Sequence, residues 1–175
     1  MKTNWKIDPA HSSAYFVVRH MMITNVRGGF SGLQGTVVYD PDDHGTSSID
    51  VTIDKKTLST GDPTRDTHVK SADFLDVEKY PTVTFKSKKI TKDGDGLKVT
   101  GDLTLHGVTK EVVLNVEGPT EEQKDPWGNI RVGASATTKI KRSDFGLTWN
   151  AALETGGIML GDDLKIELDV SLIKA

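Results

Sequence analysis

Between Thr64 and Phe85 the chain reads TRDTHVKSADFLDVEKYPTVTF, and Arg65, Asp66, His68, Asp73 and Asp76 crowd there around Phe74, Leu75 and Tyr80. An imidazole beside carboxylates can move protons, and a guanidinium can hold an electron-rich oxygen. Catalysis would need a nucleophile or base within hydrogen-bond reach of a partner. The same residue types also form ion pairs that fasten a segment. Head-group contact and structural anchoring therefore both stay open for Arg65, Asp66 and His68. Asp73 and Asp76 lie in a turn-prone run, where aspartate ordinarily bonds nearby backbone amides, and they fit that use better than an acid–base pair. His11 and His20 carry the same two readings as His68. No H-x-H or H-E-x-x-H spacing joins the histidines, so no metal site is expected. His44 lies in a polar loop and is expected to be solvated. Arg142 and Asp144 are expected to pair around the Phe145-Gly146 turn, with contact to a pocket as the alternative.

The elements that must position these groups are mostly strands. Residues 14–22 put Ala14, Phe16, Val18 and His20 on one face and Tyr15, Val17, Arg19 and Met21 on the other. Ser48 to Asp54 sets Ile49, Val51 and Ile53 against Asp50, Thr52 and Asp54, as expected of an antiparallel sheet with one dry face. Residues 4–8 lead through Pro9 into the first of these strands, and further strands are predicted at residues 34–40, 82–91, 97–106, 109–117, 129–142 and 164–174. Glycines 28, 29, 32 and 35 around Phe30 predict a bend or bulge, since they match neither G-x-G-x-x-G nor G-x-S-x-G. Gly101, inside a strand, predicts a bend or a close backbone approach. Asp93 to Gly96 and His106-Gly107 read as hairpin turns.

Asp62-Pro63 reads as a helix start, with Asp as cap and Pro at the first helical position. Arg65, His68 and Val69 then share a face, and Pro81 forces Tyr80 out of helical geometry. A second short helical turn is expected at 149–154. The sum is an all-β, single domain over residues 1–175. Its architecture is an eight-stranded antiparallel barrel with a short helical insertion near residues 62–76, acting as a lid. Closure removes the exposed edges of such a sheet and leaves room for a small ligand. A two-sheet sandwich fits the same periodicity. Phe16, Phe74, Phe85, Trp5 and Trp149 are expected in the core, with Phe74 the one expected to face a ligand because it lies in the lid.

Bulk properties exclude several classes. The 22 basic and 25 acidic residues leave a net charge of -3, and the one basic cluster, Lys86, Lys88, Lys89 and Lys92, reads as a solvated strand face. No nucleic-acid partner is expected. No run reaches the ~18 to 20 apolar residues of a membrane-spanning segment. The absence of cysteine removes disulfides, thiol catalysis and cysteine-based zinc sites. The N-terminal MKTNWKIDPAHSS has no apolar signal core, so the expected location is cytoplasmic as the sequence stands, and periplasmic if a signal peptide was removed.

Taken in order, several fragments resemble the YceI-like, or polyisoprenoid-binding, family. They are Asp8-Pro9-Ala10-His11-Ser12, His20, Gly29-Phe30-Ser31-Gly32, Arg65-Asp66 with His68, and Ser71-Ala72-Asp73-Phe74-Leu75-Asp76-Val77 followed by Tyr80-Pro81. Gly101-Asp102-Leu103-Thr104-Leu105-His106-Gly107-Val108-Thr109 and Arg142-Ser143-Asp144-Phe145-Gly146 complete the set. The resemblance is collinear and spans essentially the whole chain. It implies a lipocalin-like barrel that binds, stores or transports an isoprenoid or similar long-chain amphiphile, with no catalysis. The ligand would be a polyisoprenoid or isoprenoid-quinone-like lipid rather than a catalytic cofactor, and a homodimer is a candidate assembly. Ligand contacts are expected from His11, Phe16, His20, Phe30, Arg65, His68, Asp73, Phe74, Phe85, Arg142, Asp144 and Phe145. Many members look exported, and this N-terminus departs from that pattern. Two alternatives stand beside this one: an enzyme using the polar cluster on a hydrophobic substrate, and an interaction module whose barrel interior is filled by side chains.

Overall fold

Eight antiparallel strands close into a ring in the computed structural model, which describes residues 1–175. In chain order the strands are β1 (Thr3–Ile7), β2 (Ser13–His20), β3 (Thr24–Phe30), β4 (Leu33–Tyr39), β5 (Ser48–Asp54), β6 (Thr82–Asp93), β7 (Gly96–Leu105), β8 (Val108–Glu117), β9 (Gln123–Lys124), β10 (Ile130–Lys141) and β11 (Leu160–Lys174). The ring runs β1–β4–β5–β6–β7–β8–β10–β11 and returns to β1. It closes because β11 pairs with β10 along one edge, and with β1 along the other through Leu172 to Lys174. β2 continues along that second edge, pairing with Leu160 to Asp169, and β3 flanks β2 outside the ring. β9 is a two-residue stub on β10. Closure pairs the backbone groups that an open sheet would leave at its edges. No helix is long and apolar enough to cross a membrane.

The alternating strands send their apolar faces inward. Leu33 and Val99 are completely buried, and the core cluster runs from Trp5 on β1 to Leu172 on β11. Gly101 marks a close approach, as its place in an alternating strand predicts. A Cβ there would lie 2.4 Å from the Lys86 carbonyl oxygen and 2.6 Å from the Phe85 ring. The β6 ladder slips beside it, pairing Ser87 with Gly101 and Lys89 with Thr100, so the bulge and the glycine together let the Phe85 ring lie across β7. Gly101→Ala is expected to destabilise by at least about 1 kcal/mol, because backbone cannot retreat from a new Cβ as a side chain can. Urea denaturation checks this, and an unchanged midpoint would show that the strand yields freely.

Two local expectations need correction. Glycines 28 and 29 do not bend the chain; they lie within β3. A Cβ on Gly28 would come 2.3 Å from the Phe16 ring tip, so the glycine makes room for an aromatic on the next strand. The turn falls later, at Ser31-Gly32, before β4. Residues 149–154 form no helix either. They are irregular, with Ala152 bridged to Ile158 across a turn.

A charged cluster fastens the step between β1 and β2 to the start of β10. Arg131 Nη1 donates to Asp8 Oδ2 at 2.6 Å, Arg131 Nε donates to Asp125 Oδ2 at 2.7 Å, and His11 Nδ1 lies 2.7 Å from the same Asp8 oxygen. The Arg131 guanidinium, then the His11 ring, hold the Asp8 carboxyl below the usual range, and Arg131 does the same for Asp125. A depressed folded-state carboxylate contributes stability that is present above its unfolded pKa of about 4 and is lost as pH falls through the folded value. Arg131→Gln should therefore lower Tm at pH 7, and its gap to the unaltered chain should narrow below about pH 4. Thermal melts across pH 2 to 7 would contradict this if the gap stayed constant.

Candidate ligand-binding cavity

Alternation that sends every second side chain inward need not fill the interior of a ring this wide. Here it leaves a cavity of about 580 Å³, in which 38 of the 50 lining residues are hydrophobic. That volume falls in the range of ~300 to 1,000 Å³ usual for small-molecule sites. Ile49, Val51 and Ile53 line it from β5, Val112, Leu114 and Val116 from β8, and Ile166, Leu168 and Val170 from β11. Trp5 and Tyr39 contribute to the lining toward the end where β1 begins and β4 finishes.

The other end carries the helical insertion α1 (Pro63–Lys70). Its start follows the sequence signal: Asp62 Oδ1 accepts from the Thr64 amide at 2.9 Å and the Arg65 amide at 3.3 Å. Arg65, His68 and Val69 all reach the cavity lining, as their helical spacing predicts. Arg65 and Asp66 act on one residue. Arg65 Nε donates to Thr60 Oγ1 at 2.8 Å and its Nη2 to the Thr60 carbonyl at 2.7 Å, while Asp66 Oδ1 accepts from the Thr60 amide and hydroxyl. Those Thr60 bonds hold the Asp66 carboxyl below its ordinary pKa. The pair is thus a clasp between α1 and the loop that precedes it, with Arg65 also at the cavity edge.

His68 completes a second group. Its Nε2 lies 2.9 Å from Asp73 Oδ2, and its ring meets Phe74 and Trp149 edge-on, at centroid distances of 4.9 and 5.1 Å. Phe74 and Trp149 lie 5.0 Å apart, so three rings brace one another where the lid crosses to the segment before β11. Edge-on aromatic contacts of this kind are favourable beyond their buried area. All three rings line the cavity.

Arg142 departs from the expected pairing with Asp144. The 3₁₀ turn Arg142–Phe145 sends residue 142 inward and leaves Asp144 exposed. Arg142 is only 5% exposed and donates to backbone carbonyls: Nε to Gly161 at 2.9 Å, and Nη1 to Leu147 at 2.9 Å and Trp149 at 3.2 Å. It thereby gathers the segment that carries Trp149. Asp162 is taken instead by Ser143, through its amide and hydroxyl.

Of the twelve residues expected to touch ligand, Phe16, His20, Phe30, Arg65, His68, Phe74, Phe85 and Arg142 line the cavity. His11 lies outside that lining on the exposed turn with Asp8, and Asp73 reaches it only through His68. Asp144 is exposed and Phe145 is buried in the core, 1% exposed, behind the lining. Trp149, expected in the core, lines the cavity, a contact that sequence reasoning did not assign because the polar, non-alternating stretch around it does not say which space the ring borders. A second residue, outside the lining, escaped sequence reasoning altogether. Lys55 follows a clean amphipathic strand and looks solvated, yet it is completely buried, its Nζ donating to the Leu75 carbonyl at 3.2 Å. Burial pushes its pKa down to about 8, partly opposed by Asp76.

With the geometry in place, comparisons with known proteins agree on its type. A YceI-like domain profile matches residues 5–172. A UPF0312 protein of Staphylococcus aureus is 37% identical over 165 residues, covering 94% of both chains. Among solved structures, BcnA of Burkholderia cenocepacia superposes with a TM-score of 0.79 at 25% identity, covering 94% of this chain and 98% of its own. A polyisoprenoid-binding domain from Saccharophagus degradans, implicated in plant cell wall breakdown, shares the fold at a TM-score of 0.68 and 18% identity, covering 98% of each chain.

Proposed function

The chain belongs to the YceI-like family, and on that premise we propose that it binds, stores or carries an isoprenoid or similar long-chain amphiphilic lipid, such as an isoprenoid quinone, within its barrel. The observation that carries this reading is the apolar interior of about 580 Å³ beneath a lid of polar and aromatic side chains. Burying each methylene of a chain contributes about 0.8 kcal/mol, so ten of them supply about 8 kcal/mol, the free energy of micromolar binding before ordering costs. The polyisoprenoid-binding function named for the Saccharophagus degradans domain supports the same ligand class.

Binding suits the lid better than catalysis does. His68 Nε2 is engaged by Asp73, no hydroxyl is hydrogen-bonded to the ring, and Arg65 and Asp66 are occupied by Thr60. A nucleophile–base–orienter arrangement would need a third partner on that imidazole. The open interior also speaks against an interaction module with a filled barrel. Organic extraction of purified protein followed by mass spectrometry tests the proposal, and the expected result is one long-chain lipid per cavity. Recovery of no hydrophobic molecule, together with no uptake of added prenyl lipids, would overturn it.

A further inference from the structure

Seven large hydrophobic side chains of this protein are exposed, and four of them meet in one place. Met21, Met22 and Ile23 form the tip of the hairpin between β2 and β3, and they are 39%, 61% and 68% exposed; Ile158, on the neighbouring turn, is 44% exposed. The two turns are joined. The Met21 amide donates to the Met159 carbonyl at 2.6 Å, and a Cβ on Gly157 would lie 3.0 Å from the Met22 sulfur. One residue further in on each side, His20 and Met159 line the cavity. The apolar tip is thus a rim of the cavity. Met21 and Met22 both have positive φ, 51° and 61°, in a turn closed by the Ile23 amide on the His20 carbonyl. Asparagine and glycine are the residues that such a turn favours. Two methionines there strain the backbone and hold an apolar pair in water, so neither the turn nor the core accounts for them.

We infer that this tip docks the protein on an anionic phospholipid bilayer: Met21, Met22, Ile23 and Ile158 enter the interfacial layer and set the cavity rim against it. Charge around the tip fits that occupant. No aspartate or glutamate occurs from residue 9 to residue 39, a stretch that holds Arg19, His20 and Arg27, although the whole chain has 25 acidic residues. The neighbouring turn adds one carboxylate, Glu154. Arg19 is exposed and forms no ion pair; its guanidinium rests on the tip, 3.4 Å from the Met22 carbonyl and 3.3 Å from Asn25 Oδ1. It is placed to meet a lipid phosphate while the apolar side chains pass beneath it. The other exposed hydrophobics, Met1, Val113 and Trp127, stand on the N-terminus, β8 and the turn before β10, so a second copy offers this tip no comparable patch except its own tip. The inference goes beyond the carrier reading, since docking needs no ligand in the cavity. It also supplies what a carrier of a water-insoluble chain requires, a passage between bilayer and barrel that avoids water.

Co-sedimentation of the full chain with vesicles tests this, using phosphatidylcholine alone and phosphatidylcholine with about 30% phosphatidylglycerol. The unaltered protein is expected to bind the anionic vesicles about five-fold or more tightly than the neutral ones. Raising the salt from about 0.1 to about 0.5 M should remove most of that difference. Met21→Asn combined with Met22→Gly gives the turn its favoured residues, so this double variant should melt no lower than the unaltered chain while its vesicle binding falls about ten-fold or more. Arg19→Gln should weaken binding to the anionic vesicles about five-fold and leave the neutral ones unaffected. Trp127→Ser, in the turn at the far end of β10, should change nothing. Absence of vesicle binding by the unaltered chain overturns the inference, as does binding that survives the double substitution or is lost with Trp127→Ser. Sedimentation velocity covers the other occupant: a dimer that ignores vesicles and is split by the double substitution assigns the tip to a second copy and also overturns docking. None of these results depends on what extraction recovers from the cavity, so docking and the carrier reading fail separately.

Discussion

Val51→Trp and Ile166→Trp are each expected to weaken binding of a long-chain apolar ligand about fifty-fold while leaving the barrel folded. Both side chains line the cavity, Val51 from β5 and Ile166 from β11. Both are only partly buried because they border the void. An indole at either place occupies space that the ligand chain would use. Displacing three methylenes forfeits about 2.4 kcal/mol at about 0.8 kcal/mol each, and each 1.4 kcal/mol is a factor of ten. Overpacking normally costs about 1 to 3 kcal/mol in a filled core. Here the new ring enters empty volume, so stability should hold or rise. Fluorescence titration with a long-chain probe measures the first effect, and circular dichroism with thermal melting measures the second. Folded variants that bind with undiminished affinity would place the ligand outside the barrel.

The barrel was legible because its signal is redundant. Ile49, Val51 and Ile53, or Leu164 through Leu172 in steps of two, each state which face is dry, and every β-rich segment repeats the statement. The lid was legible for a different reason: Asp62-Pro63 caps a helix chemically, whatever surrounds it. What escaped depends on partners distant in sequence. Gly28 reads as part of a bend or bulge until Phe16 is known to lie over it, and only the β2–β3 pairing brings the two together. Arg142 and Asp144 look like a pair because opposite charges two residues apart invite one. In the 3₁₀ turn one points inward to the carbonyls of residues 147, 149 and 161 while the other faces water.

The polar lid shows how the same residue types divide between roles once geometry is known. Arg65 and Asp66 converge on Thr60 rather than on each other, which explains why a cluster with the ingredients of acid–base chemistry serves as a clasp. His68 is positioned by Asp73 and by two aromatic rings that also border the ligand space. Their packing couples the lid to the segment gathered by Arg142. Sequence order gives no hint of this coupling, since Trp149 lies far from Phe74 along the chain.

Lys55 carries the other large expected effect: the stability of this protein should rise from pH 8 toward pH 10, and Lys55→Met should remove the rise. The side chain is completely buried at the end of β5, with one hydrogen bond, to the Leu75 carbonyl in the lid turn. Burial pushes its folded-state pKa down to about 8 from an ordinary value of 10.5. The sign is opposite to that of a lysine gaining an ion partner. Between those two values the unfolded chain holds the proton more firmly than the folded one. Stability therefore increases with pH across that window, and below it the cost of the buried charge is fully present. At about 1.4 kcal/mol per unit, the gain across the window is about 2 to 3 kcal/mol. Other groups titrate there too, so the informative quantity is the difference between the unaltered chain and Lys55→Met at each pH. Methionine keeps a similar length without the charge, and it loses the bond to Leu75, worth about 1 kcal/mol. The variant should thus be the more stable at pH 7, with its advantage shrinking as pH approaches 10. Urea denaturation at pH 7, 8, 9 and 10 decides the matter. Parallel curves for the two proteins would mean that Lys55 keeps its ordinary proton affinity and that the lid turn opens to water around it.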